Sequence, residues 1–146
     1  MTTAIAGAEV AARLTPGLAE NIIEAQENSL LVKGSAIKAI LFFLKGTPGL
    51  EFNYLNDITA VDYWDYFEVV YQLTSIIHNH KLAVKTRLKG REDLVLPSVV
   101  GVYKGADFQE REIFDLMGIE FEGHPNLKRI MLWEGFNGHP LRKDYL

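Results

Sequence analysis

Helical and strand-like stretches that mix without a regular β–α–β alternation predict an α+β fold here. The expected form is a compact mixed α/β domain with a largely antiparallel sheet, flanking helices and an irregular C-terminal arm. Three observations carry this. Ile37, Ile40, Leu41 and Leu44 recur at i, i+3, i+4 and i+7, the period of a one-sided helix. Leu82, Val84, Thr86 and Leu88 alternate with Ala83, Lys85 and Arg87 at period two, as in a half-buried strand. Beyond the Gly118 stop signal, prolines at 125 and 140 and further glycines break every period.

Taken in order, Ala4 to Leu14 is made of strong helix formers and is closed by Thr15-Pro16-Gly17. Leu18 to Ala25 and Ser29 to Val32 are apolar runs around the polar tip Glu27-Asn28, a hairpin pattern whose first run can also begin as helix. Ser35 offers an N-cap to the helix carrying Ile37 to Leu44, and Gly46 and Pro48 end it. Ile58 to Asp62 is a short β-branched run, and Phe67 to Ile77 is rich in Val, Tyr, Thr and Ile. His78-Asn79-His80-Lys81 suits an antiparallel connection, Gly90 to Asp93 a polar loop, and Val99 to Tyr103 a further strand. Asp107 with Glu110 three residues on has the form of a capping box, opening a helix for which Gly118 is the C′ glycine.

A chain of 146 residues is expected to be a single domain over 1–146, burying roughly 68–70% of the surface its unfolded form exposes. A net charge of −4 gives no electrostatic attraction to nucleic acid. With no cysteine there are no disulfides, thiolate nucleophiles or Cys-based zinc sites, and the usual iron–sulfur ligands are missing. The longest apolar run, Ala36 to Leu44, is interrupted by Lys38 and falls well short of the ~20 residues that cross a bilayer. Met1 to Leu14 carries Glu9 and Arg13 and lacks the cationic start of a secretory signal. The chain is therefore expected to stay in the cytoplasm, without direct membrane insertion, and to reach a membrane only through a partner.

Glu110-Arg111-Glu112-Ile113-Phe114-Asp115 concentrates charge on a short, bulky helix, with Arg111 and Asp115 at pairing distance in sequence. The bland reading is a solvated helix end whose surface ion pairs are each worth about 0–1 kcal/mol. The sharper one is an internal polar network or a recognition surface. Gly123-His124-Pro125 and Gly138-His139-Pro140 repeat one tripeptide, in which glycine frees the backbone and proline extends the preceding histidine. Structural hydrogen bonding is expected of both histidines, because no metal-ligand spacing accompanies them. His78 and His80 read as turn residues. No serine sits in a nucleophile elbow, no phosphate-binding loop is present, and Glu110 and Glu112, two apart on a helix, face different ways.

Glu110-Arg111-Glu112-x-x-Asp115-Leu116-Met117, then His124, Lys128 and Ile130-Met131, resembles the signature of the thirty-kilodalton subunit of respiratory complex I, the C-type subunit of bacterial NADH:quinone oxidoreductase. Gly138-His139-Pro140-Leu141-Arg142-Lys143-Asp144 and the upstream Phe52-x-Tyr54-Leu55-x-Asp57-Ile58-Thr59-Ala60-Val61-Asp62 are similar to the same family. The resemblance implies a non-catalytic structural subunit of the hydrophilic arm, on the cytoplasmic side of the cell membrane and peripheral through its parent complex. It implies no cofactor of its own, and as partners the large forty-nine-kilodalton-type quinone-module subunit and the iron–sulfur subunits. The expected partner-binding or structural residues are Glu110, Arg111, Glu112, Asp115, His124, Lys128, Trp133, Phe136, His139, Arg142, Lys143 and Asp144. Trp133 and Phe136 are expected as apolar anchors on a C-terminal arm, with Arg142 and Lys143 pairing acidic groups at the rim. Two alternatives stand beside this: the equivalent subunit of a membrane-bound hydrogenase-type complex, or a stand-alone acid/base enzyme using Glu110, Glu112, His124 or His139.

Overall fold

The computed structural model describes residues 2–130, 132 and 138–145. Its centre is a mixed sheet built on β3 (Ser29–Val32), β4 (Tyr54–Asp62), β5 (Tyr66–Ser75) and β6 (His80–Lys89), with β2 (Ile22–Ala25) outermost. The order is β2-β3-β6-β5-β4, antiparallel except where β3 runs parallel to β6. β1 (Thr3–Ala4) extends the same side of β6, pairing with His80 and Lys81 beyond the reach of β3. The β5–β6 register, Ser75 opposite His80, leaves a four-residue turn at 76–79 in which Asn79 takes a left-handed φ of 57°. His78 belongs to that turn, whereas His80 already opens the strand.

α1 (Gly7–Arg13) lies against the β2–β3 hairpin so closely that a Cβ on Gly7 would sit 2.2 Å from the Ser29 carbonyl oxygen. The helix therefore starts only after the strand residues Thr3 and Ala4, later than its composition suggests. α2 (Pro16–Ala19) supplies the short helical opening of the hairpin's first run. α3 (Ile37–Gly46) buries Ile37, Ile40, Leu41 and Leu44 completely, each worth about 1.5–3 kcal/mol of transfer free energy. Ser35 does not cap it: a single 3₁₀ turn at Gly34–Ala36 leads in, and no side chain bonds the helix start.

The remainder differs most from expectation. Val99 to Tyr103 is not a strand but a pair of turns, with the Val102 and Tyr103 amides donating to the Val99 carbonyl. The strand is β7 (Val95–Pro97), which pairs in parallel with β8 (Glu120–Glu122) across α4 (Ala106–Met117). β7–α4–β8 is thus one β–α–β unit beside the mixed sheet, whose β4–β5–β6 part is an antiparallel meander. β4 is also longer than its β-branched centre, because a bulge between Leu55 and Asp57 admits the polar residues before it. Among the described residues no helix is long and apolar enough to cross a membrane.

Candidate functional site

The charged motif lies on α4. Ala106, Glu110, Ile113 and Met117 fall at helical spacing on its inner face and are buried. Asp107 does not cap the helix; Gly105 occupies that position without a side-chain bond, and Asp107 lies inside the first turn. There the buried His124 ring places Nε2 3.0 Å from an Asp107 carboxylate oxygen, while its Nδ1 accepts the Asn126 amide at 2.9 Å. The helix stops where Gly118 takes φ 77°, and a Cβ there would meet the His139 ring at 2.8 Å. Glycine is thus required both by the left-handed turn and by the histidine packed on it.

Glu110 is wholly enclosed. Ser98 Oγ donates to one of its oxygens at 2.6 Å and the Val99 amide to the other at 2.8 Å, which pins the loop after β7 to the helix. Burial pushes its carboxyl above the usual carboxylate range, opposed by the two donors and by His124. The buried Tyr71 hydroxyl feels that carboxylate and is itself held above the ordinary phenol value, chiefly by desolvation.

Asp115, five residues on, is equally buried but in a charged setting. Arg129 donates to it through Nε, and the Ile130 and Leu132 amides reach its second oxygen at 3.2 and 3.0 Å. Its carbonyl accepts Arg129 Nη2 at 2.8 Å and lies 2.9 Å from His139 Nδ1. Arg129 also donates to the Gly138 carbonyl. One residue of α4 thereby holds both the start and the return of the C-terminal segment. Arg111, expected opposite Asp115, instead donates to the Lys128 carbonyl at 3.2 Å and lies 5.4 Å over the Phe108 ring. It does tie the helix to the following chain, but among the described residues not through a carboxylate.

A second knot closes the segment. Arg91 grips Asp62 with two hydrogen bonds of 2.6 and 2.7 Å, and the Trp64 and Lys143 amides donate to the same carboxylate. These donors hold Asp62 well below the usual carboxylate range. Arg91 also reaches Asp144 at 3.1 Å. Arg142 turns inward over the Phe67 ring and donates to the Arg91 carbonyl, so its fork is not directed outward as expected. Glu112, Lys128 and Lys143 are exposed. Trp133 and Phe136 lie outside the described residues. The described parts of the arm thus fold back on their own domain, with Leu127 packed against the core.

Chemically, this is a set of consumed charges. Among the described residues no hydrogen bond joins any two of Glu110, Glu112, His124 and His139, and no group of three or more His, Asp or Glu could hold a metal. Arg129 and Arg91, the two residues that organise the region, carry no mark in the sequence. Each meets its carboxylate across 14 or 29 positions, a separation with no local periodicity to betray it.

Residues 30–146 match the family described as Respiratory-chain NADH dehydrogenase, 30 Kd subunit; α4 and both knots fall within that stretch. The C subunit of NADH-quinone oxidoreductase from Roseobacter denitrificans is 46% identical over 82% of this chain and 61% of its own length. Its counterpart of the same name from Caulobacter vibrioides is 39% identical over 95% of this chain and 71% of its own. The mitochondrial NADH dehydrogenase [ubiquinone] iron-sulfur protein 3 of Candida albicans is 43% identical, with 82% of this chain matched and only 43% of that protein. The chain thus spans well under two thirds of the length of some of its relatives. A chain in the solved membrane-bound sulfane sulfur reductase, an archaeal respiratory membrane complex, superposes with a TM-score of 0.68 at 30% identity, covering 80% of this chain and 70% of that one.

Proposed function

Because this chain belongs to the family of the 30 Kd subunit of respiratory-chain NADH dehydrogenase, we propose that it is a non-catalytic structural subunit of the hydrophilic arm of a membrane-associated NADH:quinone oxidoreductase. It packs there against the large forty-nine-kilodalton-type quinone-module subunit and the iron–sulfur subunits, on the cytoplasmic side of the membrane. The observation that carries this reading is the fate of the motif charges. Glu110 and Asp115 are buried and spent on holding backbone in place, which shapes a surface and leaves neither free to act as an acid or base on a substrate. The exposed Lys128 and Lys143, with Trp133 and Phe136, are the residues offered to the large subunit.

Native purification through a tag on this chain tests it. The quinone-module and iron–sulfur subunits are expected to co-purify with NADH-dependent quinone reduction, and Trp133→Ala with Phe136→Ala should release this chain while its own melting curve stays in place. A chain recovered alone, or one with intrinsic hydrolase or isomerase activity abolished by Glu112→Gln, would overturn the reading. The likeness to an archaeal respiratory complex favours one second reading, the equivalent subunit of another membrane-bound respiratory assembly. Co-purifying chains without NADH-dependent activity would select it.

A further inference from the structure

The outer face of α3 is apolar too. Ala39, Phe42, Phe43 and Gly46, preceded by Ser35, recur at helical spacing on the side opposite the core stripe, and Phe42 is 71% exposed. With Leu18 and Pro97 as walls, they line an open groove of about 720 Å³. A helix apolar on two faces is normally covered on both. Within α3 the spacing Ala39, Phe42, Gly46 is that of a helix–helix seam, in which small residues let a second backbone approach and one large residue inserts as a knob.

Lys38 is the one charged residue among the described residues that line the groove. Between Asn28 and Leu50 there are three lysines, Lys33, Lys38 and Lys45, and no carboxylate, in a chain whose net charge is −4. Lys38 lines the groove and has no ion-pair partner among the described residues. Lys45 spends its ammonium on the Val102 carbonyl at 2.6 Å, not on an acid. None of these residues belongs to the α4 region or its two knots.

We propose that this groove is a second interface, which receives an amphipathic helix of a neighbouring protein with an apolar stripe bordered by Asp or Glu. The inference rests on the subunit reading above but concerns a different face. A lone carboxylate-bearing helix satisfies both features at once: its apolar ridge fills the seam over Ala39 and Gly46, and its acid meets Lys38. A membrane surface fits less well, because the apolar residues line a concavity between Leu18 and Pro97, whereas lipid needs a protruding apolar face.

A photo-crosslinking benzoylphenylalanine in place of Phe42, in the full chain within its purified parent complex, tests this. The expected product is a single crosslinked peptide from one neighbouring subunit, with apolar residues at i, i+3 and i+4 and an Asp or Glu within one turn. Lys38→Glu should lower its yield several-fold, and Lys38→Arg should restore it. A complex that assembles normally with no crosslink, or with crosslinks to lipid, to a second copy of this chain or to a non-helical or acid-free segment, overturns the groove while leaving the subunit reading intact. Should the chain enter no complex at all, both fall.

Discussion

Glu110 and Asp115 are two carboxylates of one helix, both fully buried, and they are held by opposite means. Glu110 faces uncharged donors, a serine hydroxyl and one amide, and is pushed toward its neutral form. Asp115 faces a guanidinium together with amides of the segment it organises. The first can lose its charge without stranding a partner. The second cannot, because removing either side leaves an ion in a dry interior. Glu110 is therefore stapled by uncharged donors and Asp115 by an ion pair.

The contrast is most exposed to failure at Arg129. Arg129→Ala should cost about 3–5 kcal/mol, with Tm falling on the order of 10 °C, and should speed hydrogen exchange at the Leu141, Arg142 and Tyr145 amides. A cost no larger than that of Glu110→Gln would show that the two carboxylates are held alike.

A pH series separates the two kinds of staple further, since Glu110 and Asp62 are shifted in opposite directions. A raised carboxyl contributes its stability below the unfolded value of about 4.3 and loses it as pH climbs through the folded value. Glu110→Gln should therefore flatten the decline in unfolding free energy as pH rises above the unfolded carboxyl value. Asp62, depressed by Arg91, contributes above about pH 3.9 and loses that contribution as pH falls toward its folded value. Asp62→Asn should remove that acid-side loss and leave the neutral limb unchanged. Parallel limbs in the wild type and Glu110→Gln would mean that Glu110 titrates as an ordinary surface acid.

The smallest effect belongs to Arg111. Its hydrogen bond to the Lys128 carbonyl and its position over Phe108 are partly open to water, so Arg111→Ala should cost less than about 1 kcal/mol, read by urea melts. A loss as large as that of Arg129→Ala would return Arg111 to the centre of the network.

Periodicity makes some of this molecule legible. Leu82 to Leu88 and the stripe Ile37, Ile40, Leu41 and Leu44 can be read directly, because a pattern of burial is a local property of a strand or helix. Gly118 is legible for the same reason, as a left-handed helix stop. Val99 to Tyr103 misleads, since an apolar run reads alike whether it is buried as strand or as turns under a helix. Ser35 and Asp107 mislead because residue type suggests a cap, whereas capping depends on where the first turn begins.

Residue order alone was enough for the α+β class, the presence of the core helix and central strands, the absence of thiol chemistry, and a charged motif specific enough to mark the family. What the motif charges do emerged only with the folded chain. Arg129 rather than Arg111 reaches Asp115, Arg91 rather than any neighbour in sequence clamps Asp62, and Glu110 turns inward to Ser98 instead of capping its own helix. Hydrophobic burial follows a period that the sequence displays, but an ion pair chooses its partner by distance and desolvation. Those quantities exist only once residues 14 or 29 positions apart have been brought together.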